Sequence, residues 1–299
     1  MSAPVELFLQ LVVSGVVTGG IYALIAIGFV VVYKATGVIN FATGELMMFG
    51  AFFAWTAMTA AGAPFAVAVA VAALGSALVG AAVERVVLRP LMGQRAISVI
   101  MVTIGLSSVF KGIAQIVWSG EYRSFPPIFP RRPLHLGPVL LPSRQAYPFL
   151  IALAAIALLA LLFRFTRTGT AMRATAGDQA TAFGMGIDIR RMFSLSWMLA
   201  AVTAALAGIV IGTIGGISPQ LGAVGLRIFP VVILGGLDSV GGALVGGVVM
   251  GILENLAGGY LDPLLPGGGV KEVVPFAALV LILMVQPYGL FGTREIERL

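Results

Sequence analysis

Cysteine is absent from these 299 residues, histidine occurs once, and charged residues make up only 10%. The missing cysteine excludes disulfides, thiolate metal sites and cysteine nucleophiles. The single histidine, His135, stands in a proline-rich stretch with no second ligand nearby, and reads as a loop residue rather than a metal ligand or proton relay. A soluble domain carries roughly 25% charged residues, so a large water-soluble domain is excluded too. No H-E-x-x-H pair, Ser/His/Asp set or metal-ligand cluster occurs, and Glu45, Glu84 and Glu254 are far apart in sequence, which argues against an intramembrane enzyme. A phosphate-binding G-x-x-x-x-G-K-[ST] is missing: "GGGVKE", around Lys271, has the wrong spacing, so any ATP used must be bound by another chain. Arginine arrays and a potassium-filter motif are missing as well, which removes the simplest support for a channel.

What remains is apolar. The chain is 59% hydrophobic with 39 glycines, the composition of an all-α, polytopic transmembrane helix bundle. Apolar runs lie at about 7–33, 45–62, 64–86, 96–118, 146–163, 192–215, 240–260 and 271–290, which predicts eight spans. A ninth, 223–237, contains Arg227 and Pro230 and reads as a thin, broken or re-entrant crossing. Counting it places Lys34, Arg85–Arg95, 164–191 and the C-terminal "TREIERL" on one side, with 11 of the 18 Lys and Arg; the other side has five. The positive-inside rule makes the first side cytoplasmic, with the N-terminus outside. The net charge of +6 therefore reports on loops and lipid headgroups, not nucleic acid. "MSAPVELFLQ" lacks the basic start of a signal peptide and is expected to be retained.

The whole of 1–299 reads as one membrane domain. Residues 119–145, with six prolines, form an irregular external loop, either a plain cover or a docking surface. Gly15 and Gly19, Ser76 and Gly80, Gly242 and Gly246, and Gly247 and Gly251 recur at helical spacing, the pattern of close helix packing in lipid. "GSALVGAAV" from Gly75 echoes "GGALVGGVV" from Gly241 in spans of opposite direction, as an inverted repeat or a chance match in a Gly/Ala/Val-rich chain would.

Two stretches carry polar residues where lipid-facing sequence would not. In "GVINFATGELMMFGAF", residues 37–52, a helix break precedes a helix that Thr43 can cap, with Glu45 in its first turn at the positive end of the dipole. That is either a tidy helix start or a broken helix presenting Asn40, Thr43 and Glu45 to a transport pathway. On the inner side, 164–191 contains five arginines and a helix over Thr170–Phe183 with Ala171, Ala174, Gly177 and Ala180 or Thr181 on one narrow face, broken at Gly184 and Gly186. It reads equally as a helix seating in a partner's groove or as a connector near anionic lipid.

Residues 172–212 resemble the cytoplasmic coupling loop and following helix of branched-chain amino acid ABC transporter permeases. "GVINFATGELMMFGAF" resembles the segment after that family's first span, and "GLRIFPVVILGGLDSVGGALVGG", 225–247, its C-terminal signature. The length suits the shorter of the two permease subunits. One departure stands at Thr43, where the family commonly has histidine. The resemblance implies a permease in the cell inner membrane that translocates branched-chain or related hydrophobic amino acids by alternating access. It implies no cofactor in this chain; ATP and Mg belong to partner ABC ATPase subunits. The other partners it implies are a second permease subunit and an external solute-binding protein. Ala174, Gly177, Asp178, Gly184 and Gly186 would contact the ATPase. The rival expectations are a same-family permease for urea, amides or another small solute, and a stand-alone channel or facilitator.

Overall fold

The computed structural model describes residues 3–91, 94–130, 132–136, 139–265, 268–286 and 289–292. "TREIERL" and Arg131 lie outside the described residues. The chain opens with α1 (Ala3–Thr36), α2 (Thr43–Ala60), α3 (Phe65–Val83) and α4 (Ala96–Trp118). A small antiparallel hairpin, β1 (Leu134–Leu136) and β2 (Val139–Leu141), follows, with Leu134 paired to Leu141. Then come α5 (Ser143–Phe165), α6 (Arg167–Gly177), α7 (Gln179–Gly184) and α8 (Ile189–Gly215). The chain continues through α9 (Leu221–Arg227), α10 (Phe229–Gly235), α11 (Val240–Tyr260) and α12 (Val270–Val285).

Among the described residues, six helices are long and apolar enough to cross a membrane, where the sequence predicted eight or nine crossings. The difference lies at α2 and α12. α2 has 18 residues diluted by Glu45 and three threonines, and α12 has 16. The stretch read as a thin or broken crossing is indeed broken: α9 and α10 meet at Ile228, and Pro230, which has no N–H to lose, sits in the first turn of α10. α1 runs unbroken through Gly19 and Gly20. The segments of the sequence echo lie in α3 and α11, which pack on different neighbours, α8 and α1. That pair alone does not establish a repeat.

α3 continues through a π turn at Glu84–Leu88 and a 3-10 turn at Arg89–Leu91. The wider turn aligns residues five apart, and Arg89 grips buried Glu84 with two bonds of 3.1 and 2.9 Å.

α1 is the hub of the bundle: 83% of an 18-residue apolar stretch of it is buried, against 17% for α4. Lipid is as apolar as leucine, so close contact here depends on small residues rather than on hydrophobic expulsion. α1 and α11 run antiparallel with glycine on both sides. A Cβ added at Gly19 would lie 2.5 Å from the Gly247 carbonyl oxygen, and one at Gly247 would lie 2.6 Å from that of Gly19. Gly15 meets Gly251 and Ile252 in the same way, as the spacing predicted. Gly247→Val is therefore expected to force the helices apart and lower the thermal unfolding temperature of the solubilised protein by up to about 10 °C, given an overpacking cost of about 1–3 kcal/mol. Gly105→Val, where the space is open, should change it little; equal shifts for the two would refute the packing argument.

The two ends of the bundle match the charge grouping. Thr36, Glu84, Gln94, Gln179 and Arg190 line one cavity, and Lys34, Arg173 and Asp238 another, so these segments share an end. At the opposite end the proline-rich loop is tied down. Gln10 bonds Leu140 through both amide atoms, Trp55 Nε1–H donates to the Ser124 carbonyl, and Arg123 pairs with Ile217 through the backbone.

Candidate functional site

After Thr36 the chain leaves α1 with Gly37 at φ +69, a conformation that suits glycine, and turns back into the bundle. The Phe41 N–H donates to Thr103 Oγ1 at 3.3 Å, which puts the returning segment about 10 Å along α4 from its start. α2 therefore begins inside the bundle, beside the flank of another helix.

The cap differs from the sequence expectation. Thr43 is the first residue of α2, not its cap, and its Oγ1 donates backwards to the Asn40 carbonyl at 2.9 Å. Asn40 organises the turn instead, its Oδ1 accepting the Ala42 N–H at 3.0 Å. The short asparagine side chain reaches an N–H two residues on, and Thr43, already helical, cannot reach the donors a cap must serve.

Asn40, Thr43 and Glu45 are all buried, and the structure brings them together in this re-entering turn. Glu45 Oε1 lies 3.3 Å from Lys111 Nζ, past the midpoint of α4. Among the described residues, Glu45 Oε2 and Asn40 Nδ2 are buried with no hydrogen-bond partner. Unpartnered buried polar atoms are uncommon, and one acceptor and one donor left open in one turn suit a polar visitor or water. α9 closes the site with glycine: a Cβ at Gly44 would fall 2.0 Å from the Gly222 carbonyl oxygen, and one at Gly222 would press on Glu45 Oε1 at 3.0 Å. From the other side, Gly208 of α8 meets the Met47 carbonyl oxygen, where a Cβ would stand at 1.9 Å. The start of α2 is held between two glycine faces.

None of Lys111, Thr103 and Gly222 was selected from the sequence. A lysine in an apolar run was the available signal for a partner, but nothing in sequence aligned it with Glu45.

The inner segment folds as two short helices rather than one over Thr170–Phe183. Asp178 breaks the run, being extended at φ −155, ψ 111, and caps α7 by accepting the Ala180 and Thr181 N–H groups. The Thr181 hydroxyl, followed by these backbone donors, holds the Asp178 carboxyl below its ordinary pKa. Gly169, Met172, Thr175 and Ala182 turn inward. Ala174, Gly177, Asp178, Gly184 and Gly186 are all exposed, and a Cβ at any of the three glycines would meet open space. Their smallness thus serves nothing within this chain. Between them project Phe183 and Met185, 72% and 80% exposed, which the small-residue pattern did not reveal.

The model of the family described as "branched-chain amino acid transport system / permease component" matches residues 11–283. The chain belongs to that family. It is 32% identical to the high-affinity branched-chain amino acid transport system permease protein LivH of Salmonella typhimurium over 313 residues, covering 100% of both chains. The Escherichia coli K12 LivH gives 32% over 317 residues with the same coverage, and BraD of Pseudomonas aeruginosa gives 30% over 97% of this chain and 98% of its own. These relatives are named as transport permeases, not enzymes, and this chain is a multi-pass membrane permease.

In this permease two of the three stretches that carry the family resemblance lie apart: Asn40, Thr43 and Glu45 within the bundle, and α6–α7 at the end shared with Lys34.

Proposed function

We propose that this permease is the inner-membrane transmembrane subunit of an ABC importer for branched-chain or related hydrophobic amino acids, working by alternating access. An external solute-binding protein delivers the solute over the proline-rich loop, and a second permease subunit completes the path. ATP and Mg are held by separate ATPase subunits seated on α6–α7, whose motion is passed to the bundle. The carrying observation is the exposed group of Ala174, Gly177, Gly184 and Gly186 around Phe183 and Met185, a close-approach surface that this chain does not fill itself. Full-length likeness to LivH supports the solute class.

Asn40, Thr43 and Glu45 lie on the solute's route in this reading. A buried carboxylate attracts the solute ammonium, and the free Asn40 Nδ2 is a donor for its carboxylate. Deleting the gene in the native host is expected to lower leucine, isoleucine and valine uptake at least tenfold, with recovery on re-expression. Loss of urea or amide uptake alone would select the rival solute class. Leucine flux through the lone chain in proteoliposomes without ATP would replace the importer by a facilitator.

A further inference from the structure

On the face of α9 away from Glu45 lies a second polar site. Gly222 and Gly225 of α9 face α2, whereas Val224, Arg227 and Ile228 line a cavity of about 390 Å³ bounded by α1, α5, α8, α11 and α12. Its charged groups are Arg227, Glu254, Lys271 and Glu272, with Tyr22 beside Glu254. They balance, two of each sign, and their pairing is uneven. Arg227 Nη1 bonds Glu272 Oε1 at 3.3 Å on the exposed lip, while Lys271 Nζ stands 3.9 Å from Glu254 Oε1, the widest ion pair among the described residues. Glu254 is 12% exposed, so its carboxylate has left water for a hydrogen bond with Tyr22 and an ammonium no nearer than 3.9 Å, which leaves its charge weakly met. Gly258 makes room for the Lys271 stem, 3.3 Å from where its Cβ would be.

The remaining wall is branched and apolar, with Ile21, Ile211, Ile214, Val224 and Ile228. The volume falls within the roughly 300–1,000 Å³ of small-molecule sites. A lone cation or anion would satisfy half of this charge set and leave the other half worse off. A molecule with adjacent ammonium and carboxylate groups and an apolar body satisfies charges and wall together.

We propose that this cavity is a holding site for a free amino acid with an apolar side chain. The solute ammonium lies at Glu254, its carboxylate at Lys271 and Arg227, and its side chain among the isoleucines. The proposal rests on the reading of the chain as an amino-acid permease.

The test is equilibrium binding of radiolabelled leucine to the full chain in nanodiscs of phosphatidylglycerol alone, which lack the zwitterionic headgroups that share this chemistry. Saturable binding is expected, at least tenfold weaker in Glu254→Gln and in Lys271→Gln. Neither 4-methylpentanoate, which lacks the ammonium, nor isopentylamine, which lacks the carboxylate, should compete. Exchanging the charges, Glu254→Lys with Lys271→Glu, preserves a purely structural pair but conflicts with the orientation set by Arg227 and Glu272, so a folded exchanged protein should still bind poorly. Unchanged binding in the single variants, full recovery in the exchanged pair, or no saturable binding by the wild-type chain overturns the site. Native-cell uptake is measured in parallel. Uptake that needs the chain while binding ignores Glu254 removes the cavity and keeps the permease reading; uptake indifferent to the chain removes that reading and the inference built on it.

Discussion

Replacing Lys111 with methionine should strip Glu45 of its only ion-pair partner among the described residues and destabilise the bundle. Glu45 is 3% exposed, with Gly222 of α9 closing over its carboxylate, so a charge left unpaired there is poorly hydrated. Breaking a buried pair costs about 3–5 kcal/mol, and because Lys111 is itself 45% exposed the lower end applies. The expected result is a sharp fall in membrane accumulation and a clear drop in unfolding temperature. Glu45→Gln, which leaves a lysine able to reach outward, should be milder. The double variant, Glu45→Gln with Lys111→Met, should regain most of the stability, because neither charge remains to be desolvated. Transport separates the two roles of the site: if Glu45 lies on the solute's route, the stable double variant still transports at least tenfold less. Full recovery of uptake along with stability would reduce Glu45 to a structural residue and remove the route through it.

The same stretch shows what a sequence can and cannot carry. The helix break before Thr43 was legible because glycine and asparagine have local backbone consequences. Close packing at Gly15, Gly19, Gly247 and Gly251 was legible because glycines at helical spacing have one common use in lipid, but that α1 and α11 meet each other there was not. The Glu45–Lys111 pair was not, since the two lie on different helices and their meeting depends on how far the chain re-enters after Gly37, a depth that no local pattern encodes. The cap was misjudged for a related reason: Asn40 and Thr43 both favour helix starts, and the direction of the turn decides between them. The span count is matched for six helices among the described residues and left open where composition is marginal, at α2 and α12. In the inner segment, the small face was readable but its interruption was not, because Asp178 is tolerated within a helix and becomes a breaker only when its side chain takes the next helix's first N–H groups.

That interruption shapes the second large effect. Gly177 ends α6 immediately before Asp178, and space around it is open, so a tryptophan there has nothing in this chain to displace. Gly177→Trp should therefore leave accumulation and unfolding temperature unchanged, while a bulky ring on a surface meant for close seating holds a partner away. Uptake should fall at least tenfold, and the ATPase activity of the assembled transporter should no longer respond to solute-loaded binding protein. Phe183→Ala probes the same contact by removal: an exposed aromatic at the centre of an interface is commonly worth 2 kcal/mol or more, about a thirtyfold loss of ATPase affinity, whereas on a merely solvated connector its removal would go unnoticed. If both variants transported normally, α6–α7 would be a connector near lipid, and the force that moves the bundle would have to enter elsewhere.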